Sequence, residues 1–238
     1  MPTQTNGFGY TAPTGLAANQ QAISVKGLVG QTMTGKKKST LTPAVYINGA
    51  EIAAAGGSLS LLSLGAKAGD LVLIWSTYED FTPTGGGSGA FNFISGLPVT
   101  YSYTGYFYWK IITDPNQNLS TISTSYNKIL MLYRGANALQ VGPFQSLSSA
   151  GTLGTPYTWT STVTNGVKRI LIGSLQGASD PVVITSAGWT QRQYYLGVGD
   201  IFHYKSYDFD NGIPLPGTTL DGTKASQVGV FTIDLIKN

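Results

Sequence analysis

The chain of 238 residues has no cysteine, one histidine (His203) and two glutamates (Glu51 and Glu79), and only 11% of its residues are charged. An average soluble domain is about 25% charged. The absence of cysteine excludes disulfide bonds and thiolate metal sites. Acid–base catalysis uses closely placed His, Asp, Glu, Lys or Cys side chains, and this chain is poor in them. We therefore expect a protein without catalytic residues, metal or cofactor, which packs and presents a surface.

The positive charge of the chain is small and local. The formal net charge is +3, and the run Lys36, Lys37 and Lys38 supplies an equal number of charges. Because this pattern predicts no broad cationic face, we expect no nucleic-acid partner. The longest apolar runs are far shorter than the roughly 20 residues of a membrane-spanning helix, and the N-terminus lacks the features of a secretory signal. We therefore expect no membrane partner and no cleaved leader.

Residues 1–42 differ from the rest of the chain, because they are polar, rich in Gly, Thr and Gln, and without regular hydrophobic periodicity. One interpretation is a disordered tail. The other is an extended arm that becomes ordered when it docks onto a neighbouring subunit. The candidate partner-binding residues are Phe8, Tyr10, Ile23, Val25, Leu28, Lys36, Lys37 and Lys38. We favour the arm, since its apolar side chains give a neighbour something to bury.

One segment of the arm has part of the spacing of a phosphate-binding P-loop. Gly30 and Gly35 enclose four residues and Lys36 follows, but Lys37 stands where the P-loop has Ser or Thr. A P-loop also needs a helix after it, and the residues that follow here do not favour one. We interpret the segment as a basic turn, or as a contact with an acidic neighbouring subunit that salt would weaken.

From residue 43 onward, short apolar runs alternate with Gly, Pro, Asn and Asp, which is the pattern of strands and turns. The runs predicted to be strands are residues 58–64, 70–77, 106–112, 127–133, 157–163, 169–175, 189–195, 200–207 and 227–235. No segment has the length and periodicity of a convincing helix. The sequence therefore predicts an all-β body over residues 43–238, a two-sheet, jelly-roll-like β-sandwich with an extended N-terminal arm.

Two long segments, residues 79–89 and 209–223, interrupt the strand pattern and are predicted to be loops. Because binding residues often lie on loops held by a rigid scaffold, these are candidate ligand loops, with flexible connectors as the alternative. The candidate residues are Glu79, Asp80, Phe81, Asp208 and Asp210. Residues 208–212 place oxygen ligands before a glycine, as part of a calcium loop does, but lack its closing glutamate. A turn is the main interpretation there.

Aromatic side chains are concentrated around residues 101–109 and 189–195. Alternate members must fill the core of a sandwich, which leaves a Tyr-rich outer face for subunit packing or glycan contact. The histidine, His203, has no second His or Cys for a metal site and no Gly-x-Ser-x-Gly elbow for a serine triad. We therefore expect His203 to be structural or exposed.

Three short patterns, in a fixed order, resemble a β-sandwich domain common in bacteriophage virion proteins. They are Ala68-Gly69-Asp70-Leu71 before an apolar run, the aromatic strand Tyr106-Phe107-Tyr108-Trp109 that ends in Lys110, and the apolar strand that ends in Tyr133-Arg134-Gly135. A Gly188-Trp189 pair and a closing strand complete the order. The resemblance covers residues 43–238. It implies a role on the surface of a tail, fibre or capsid, and it carries over no functional residues.

These observations predict a non-enzymatic structural protein of a bacteriophage virion, made in the host cytoplasm and exposed on the particle as a capsid decoration or a tail or fibre component. Its partners would be other virion proteins, and low charge with exposed Tyr favours a symmetric homo-oligomer such as a trimer. A host-receptor or glycan-binding adhesin module is the first alternative. A glycan depolymerase is the second, with Asp80 and Asp200 or Asp208 as carboxyl groups about 5–10 Å apart across a cleft.

Overall fold

The computed structural model describes residues 3–5, 11–13, 41–52, 57–76, 80–100, 103–122, 128–142, 144–147, 150–152, 163, 165–175, 180–196, 203–214, 220–225 and 228–238. The chain divides into two compact units, residues 1–40 and 41–238. This division falls close to the boundary drawn from the sequence. All the candidate arm residues, from Phe8 to Lys38, lie outside the described residues, so the docking arm stays a prediction.

Strands make up almost all of the regular structure. In the first unit, β1 (Thr3–Thr5) pairs antiparallel with β2 (Thr11–Pro13). The strands of the second unit are β3 (Val45–Ile52), β4 (Ser58–Leu59), β5 (Leu71–Ser76), β6 (Thr82–Thr84), β7 (Asn92–Thr100), β8 (Tyr103–Ile111), β9 (Leu119–Ile122), β10 (Lys128–Arg134), β11 (Ala138–Val141), β12 (Gln145–Leu147), β13 (Gly151–Thr152), β14 (Gly166–Leu175), β15 (Val182–Ile184), β16 (Trp189–Leu196), β17 (His203–Phe209), β18 (Gly222–Lys224) and β19 (Val228–Ile236). A short 3₁₀ helix, Leu62–Leu64, follows β4. In the described part of the chain, no helix is long and apolar enough to cross a membrane.

Two large antiparallel sheets form the sandwich. One has five strands in the order β3-β10-β5-β8-β7, and the other has six, in the order β11-β19-β14-β17-β16 with β12 also paired to β19. Two three-stranded sheets, β4-β9-β6 and β13-β18-β15, accompany them. This confirms the predicted all-β, two-sheet sandwich.

Alternate residues of the central strands fill the space between the two large sheets. In β5, Leu73 and Trp75 point into this layer, while Val72 and Ile74 point the opposite way into a second core. Trp75 meets Tyr204 of the six-stranded sheet edge-on, with ring centroids 4.2 Å apart. The continuous apolar character of β5 therefore follows from burial on both faces.

The outward faces of the central strands in both large sheets are covered as well. The second core packs residues of β5 and β10 against Leu61, Phe81 and Leu119, the last of which lies in β9 of one small sheet. A third core packs Leu171 of β14 against Val182, which lies in β15 of the other small sheet. Each small sheet thus contributes a covering layer to the sandwich.

The strands β5, β8, β10, β14, β16, β17 and β19 lie on predicted runs. The prediction of one strand over residues 58–64 is wrong, because the chain leaves the strand after Leu59 and forms a 3₁₀ helix. The two predicted loops contain β6 and β18, whose three residues each are too few to show an alternating pattern. The predicted strand over residues 157–163 lies outside the described residues apart from Val163.

Charged side chains are buried inside this layered body as ion pairs. Arg169 of β14 and Asp234 of β19 are cross-strand partners, and both side chains are 1% exposed. The Nε and Nη2 atoms of Arg169 donate to the two carboxylate oxygens of Asp234, each at 2.6 Å. The cost of desolvating two ions offsets much of their attraction. The pair therefore matters chiefly because neither charge can be buried without the other.

Removing one member of this pair is expected to destabilise the fold more than replacing both. The Asp234→Asn variant leaves the Arg169 guanidinium buried without the Asp234 charge, and we expect it to lower the free energy of unfolding by about 3–5 kcal/mol. The double variant Arg169→Met with Asp234→Leu buries no charge and should cost clearly less. Chemical denaturation of the two variants and the parent measures these differences. A double variant less stable than Asp234→Asn would contradict this account.

Candidate functional site

Two residues from the three short sequence patterns, Asp70 and Arg134, meet at one end of the five-stranded sheet. Asp70 lies just before β5, and Arg134 is the last residue of the neighbouring strand β10. The Nε and Nη2 atoms of Arg134 donate to the two carboxylate oxygens of Asp70, each at 2.8 Å. The backbone N–H of Lys67 also donates to Asp70, at 2.8 Å. These two pattern residues therefore join the start of one central strand to the end of the next.

Lys110, the last residue of the aromatic pattern, holds the glycine-rich loop after β6. The residue is 4% exposed, and its Nζ donates to the carbonyl oxygens of Gly85 at 2.9 Å and Gly87 at 2.7 Å. Both glycines have positive φ angles, 96° and 91°, which favour glycine. A Cβ at Gly85 would collide with the backbone carbonyl of Asn118. The glycine-rich part of the predicted loop is therefore anchored and is not a free connector.

Beside this loop, aromatic side chains form a surface on the outer face of β7 and β8. We call Phe93, Tyr106 and Tyr108 the aromatic platform. Phe93 is 50% exposed, and its ring centroid lies 4.9 Å from that of Tyr108 and 6.4 Å from that of Tyr106. The buried ring of Phe81 supports Tyr108 edge-on at 4.8 Å. Phe107, between the two tyrosines in sequence, packs in the inter-sheet core, which confirms the predicted alternation.

Asp80 borders the aromatic platform. Its Oδ1 atom accepts the Tyr108 hydroxyl at 2.6 Å and the Phe81 N–H at 2.8 Å. Burial raises the pKa of Tyr108, and so do the hydrogen bond to Asp80 and its negative charge. The phenol therefore keeps its proton and remains a donor. Asp80 is exposed. Among the described residues, both donors to its carboxylate bond to Oδ1, and none bonds to Oδ2.

The structure thus brings Asp80 and Phe81 from the first predicted ligand loop to the predicted tyrosine face. Glu79, the third candidate of that loop, lies outside the described residues. Phe81 is 4% exposed, so it supports the platform from below and offers no ligand contact of its own. Of the two candidates of this loop that the structure describes, Asp80 is the exposed one.

The second predicted ligand segment differs from expectation. Asp208, a candidate residue of a ligand loop, lies instead in the strand β17 with a fully buried carboxylate. Arg192 Nη2 lies 2.8 Å from Asp208 Oδ1 and 3.3 Å from Asp210 Oδ1, while Lys168 Nζ is 3.9 Å from Asp208 Oδ2. Burial raises the pKa of Asp208, against the attraction of both cations. Its carboxylate therefore faces two protein cations and does not face Asp80 across an open cleft.

Sequence reasoning missed the contact that joins the edges of the two large sheets. The Gln193 side-chain amide in β16 donates to the Tyr46 hydroxyl in β3 at 2.6 Å. The guanidinium of Arg192 lies 5.0 Å from the centroid of the Tyr46 ring. Tyr46 and Gln193 are 147 residues apart, and no local pattern relates them. His203, expected to be structural or exposed, is 1% exposed at the start of β17.

Comparisons of the chain with models of protein families, with curated proteins and with solved structures found no match. The chemistry of the surface therefore has to be inferred from its side chains. Within the described ranges, no group of three or more His, Asp or Glu side chains could hold a metal ion. The aromatic platform offers aromatic rings for stacking, one carboxylate oxygen of Asp80 at its border and an anchored loop beside it.

We expect the Lys110→Met variant to loosen the glycine-rich loop. The variant loses two hydrogen bonds from a charged donor, each worth about 1.5–3 kcal/mol, and part of that loss is offset because no ammonium group is desolvated. We predict a net loss of about 1–3 kcal/mol in the free energy of unfolding. Amide hydrogen exchange in residues 82–89 should become faster. Lys67→Met, at an exposed lysine, is the matched control, and unchanged exchange in Lys110→Met would refute the anchoring role.

Proposed function

We propose that this chain is a non-enzymatic structural protein of a bacteriophage virion, exposed on the particle surface as a capsid decoration or as part of a tail or fibre. The observation that carries the proposal is that residues of the phage-like patterns act as structural supports. Asp70 and Arg134 join two central strands, and Lys110 anchors a loop. A body held in this way suits a protein that works by shape and contact.

The use of the charged side chains supports the same proposal. Asp234 is paired inside the body with Arg169, and Asp208 with Arg192. At the surface of the six-stranded sheet, Asp180 Oδ2 lies 2.7 Å from Lys205 Nζ. Catalysis needs ionisable groups placed toward a substrate, whereas these carboxylates are directed at cations of the same chain. Their charge is balanced within the body.

In this proposal, residues 1–42 dock onto other virion proteins, and the body forms a symmetric homo-oligomer such as a trimer. Burying apolar arm residues such as Phe8 and Tyr10 stabilises by about 25 cal/mol per Å². Ordering the arm costs about 1–2 kcal/mol for each residue. The arm would therefore become ordered only where a neighbour both covers its apolar side chains and pairs with its backbone. The protein would be made in the host cytoplasm and located in the virion.

Electron microscopy of intact particles tests the proposed location. Gold-labelled antibody against the full chain should bind purified phage particles at regular positions on the capsid, tail or fibres. An antibody raised against a host cytoplasmic protein is the control. Label found only in the soluble fraction of the lysate, with particles bare, would overturn the proposal.

The proposed arm yields a second test. A full-length variant with Lys36, Lys37 and Lys38 all changed to Gln should enter particles several-fold less well than the parent when both are supplied during infection. The reason is the loss of attraction to an acidic neighbour, which is strongest at low ionic strength. The amount of each protein in purified particles measures the effect. Lys67→Gln in the body is the control, and equal incorporation of the triple variant would argue against the basic part of the arm.

Binding of a host-surface glycan is the second candidate function, and the aromatic platform favours it. Phe93 is 50% exposed, whereas most of the other large apolar side chains in the described part of the chain are buried. An exposed aromatic surface with a polar border is typical of binding sites. This function is compatible with a structural role, since a virion surface protein also meets the host cell.

A further inference from the structure

We propose that the aromatic platform, with Asp80 at its border, is a carbohydrate-binding site that takes a neutral sugar ring with an apolar C–H face. This inference concerns the folded body alone. It does not depend on the virion role, because a purified protein tests it without particles.

The arrangement of the rings suits stacking against a sugar. The planes of Phe93 and Tyr106 lie within 22° of each other, and those of Phe93 and Tyr108 within 38°. The face of an aromatic ring carries negative charge density, which attracts the weakly positive C–H bonds on one side of a pyranose. Phe93 therefore packs on the two tyrosines, and its exposed half is the part of the platform that can stack against a sugar ring.

A hydrogen-bond acceptor lies at the border of the rings, on Asp80. The Oδ1 atom of Asp80 is occupied by Tyr108 and Phe81, and Oδ2 has no donor among the described residues. A carboxylate oxygen accepts strongly from hydroxyl groups. Its negative charge would also disfavour acidic sugars such as sialic acid. The combination of apolar face and carboxylate border therefore favours a neutral sugar.

The site is rigid before a ligand arrives. The Tyr108 hydroxyl is fixed by its 2.6 Å bond to Asp80, and the ring rests on buried Phe81. On the same strand, Lys110 anchors the loop through Gly85 and Gly87. Ordering side chains on binding costs affinity, and a site already ordered avoids that cost.

Among the residues whose side chains the structure describes, the exposed aromatic area here is small, which favours a sugar over a protein partner. A stable protein interface buries roughly 800 Å² on each side. Aromatic side chains bury about 150–250 Å² each when fully covered, and here Tyr106 and Tyr108 are already half-buried. The exposed parts of three rings thus supply only a fraction of a protein interface.

Saturation-transfer NMR with the full-length protein tests the proposal. The probes are lactose, maltose, cellobiose and chitobiose at millimolar concentration, with sialyllactose as the acidic comparison. We expect transfer to the C–H protons of at least one neutral disaccharide, and weaker transfer to sialyllactose than to lactose. Absence of transfer to every neutral probe would overturn the proposal.

Two variants and a matched control locate the binding. Phe93→Ala should weaken the affinity for the bound disaccharide about tenfold or more. Tyr194→Ala, which removes a 45% exposed aromatic ring from the other large sheet, should leave it unchanged. If Phe93→Ala does not fold, Asp80→Asn, which keeps an acceptor for Tyr108 but removes the charge, should weaken binding and reduce the preference against sialyllactose.

Two results would overturn the proposal even if a sugar binds. They are unchanged affinity in a folded Phe93→Ala variant, and an equal loss of affinity in Tyr194→Ala. If the first result came with a change of oligomeric mass, it would identify the platform as a protein interface. Neither of them bears on the location of the protein in a virion, which the antibody experiment tests separately.

Discussion

The structure depends on burying its central strands on both faces. Every residue of β5 is buried, and its side chains alternate between the inter-sheet core and the second core. The contact of Trp75 with Tyr204 joins the two large sheets at the centre of the first of these cores. A strand in this position has no face in water. Any charge on such a strand must therefore be ion-paired or hydrogen-bonded inside the protein, since an isolated buried ion costs many kcal/mol.

This constraint explains where the few charged residues lie. Arg169 and Asp234 face each other on adjacent buried strands, and Asp208 is balanced by Lys168 and Arg192. Such pairs add little net stability compared with apolar residues, but they disfavour other registers, because a shifted strand would bury an unpaired charge. The low charge content of the chain and its internal pairing are thus two results of the same layered burial.

The sequence was sufficient for the fold class and for the central strands, because strands such as β5 and β10 are continuous apolar runs that local pattern reveals. It was insufficient for β6 and β18, which are too short to alternate, and for Asp208, whose spacing before Gly212 is typical of a turn. The partners of Asp208, Lys168 and Arg192, come from other strands, and a single sequence shows no such contact. Asp80 and the tyrosine face were each predicted, but the hydrogen bond that joins Asp80 to Tyr108 was not. This contact depends on the register of β8 and on the anchored loop.

The layered burial also determines where an aromatic side chain is exposed. The second core extends under Tyr106 and Tyr108, which pack against it, but Phe93 on the edge strand β7 is not covered. A site made of three rings and one carboxylate oxygen binds a sugar weakly, because little area is buried. On an assembly that carries many copies, the second and later contacts become intramolecular and avidity can exceed single-site affinity by about 10²–10⁴. A weak sugar site is therefore most useful on a repeated structural protein, which gives the two proposals a common physical basis although each can fail alone.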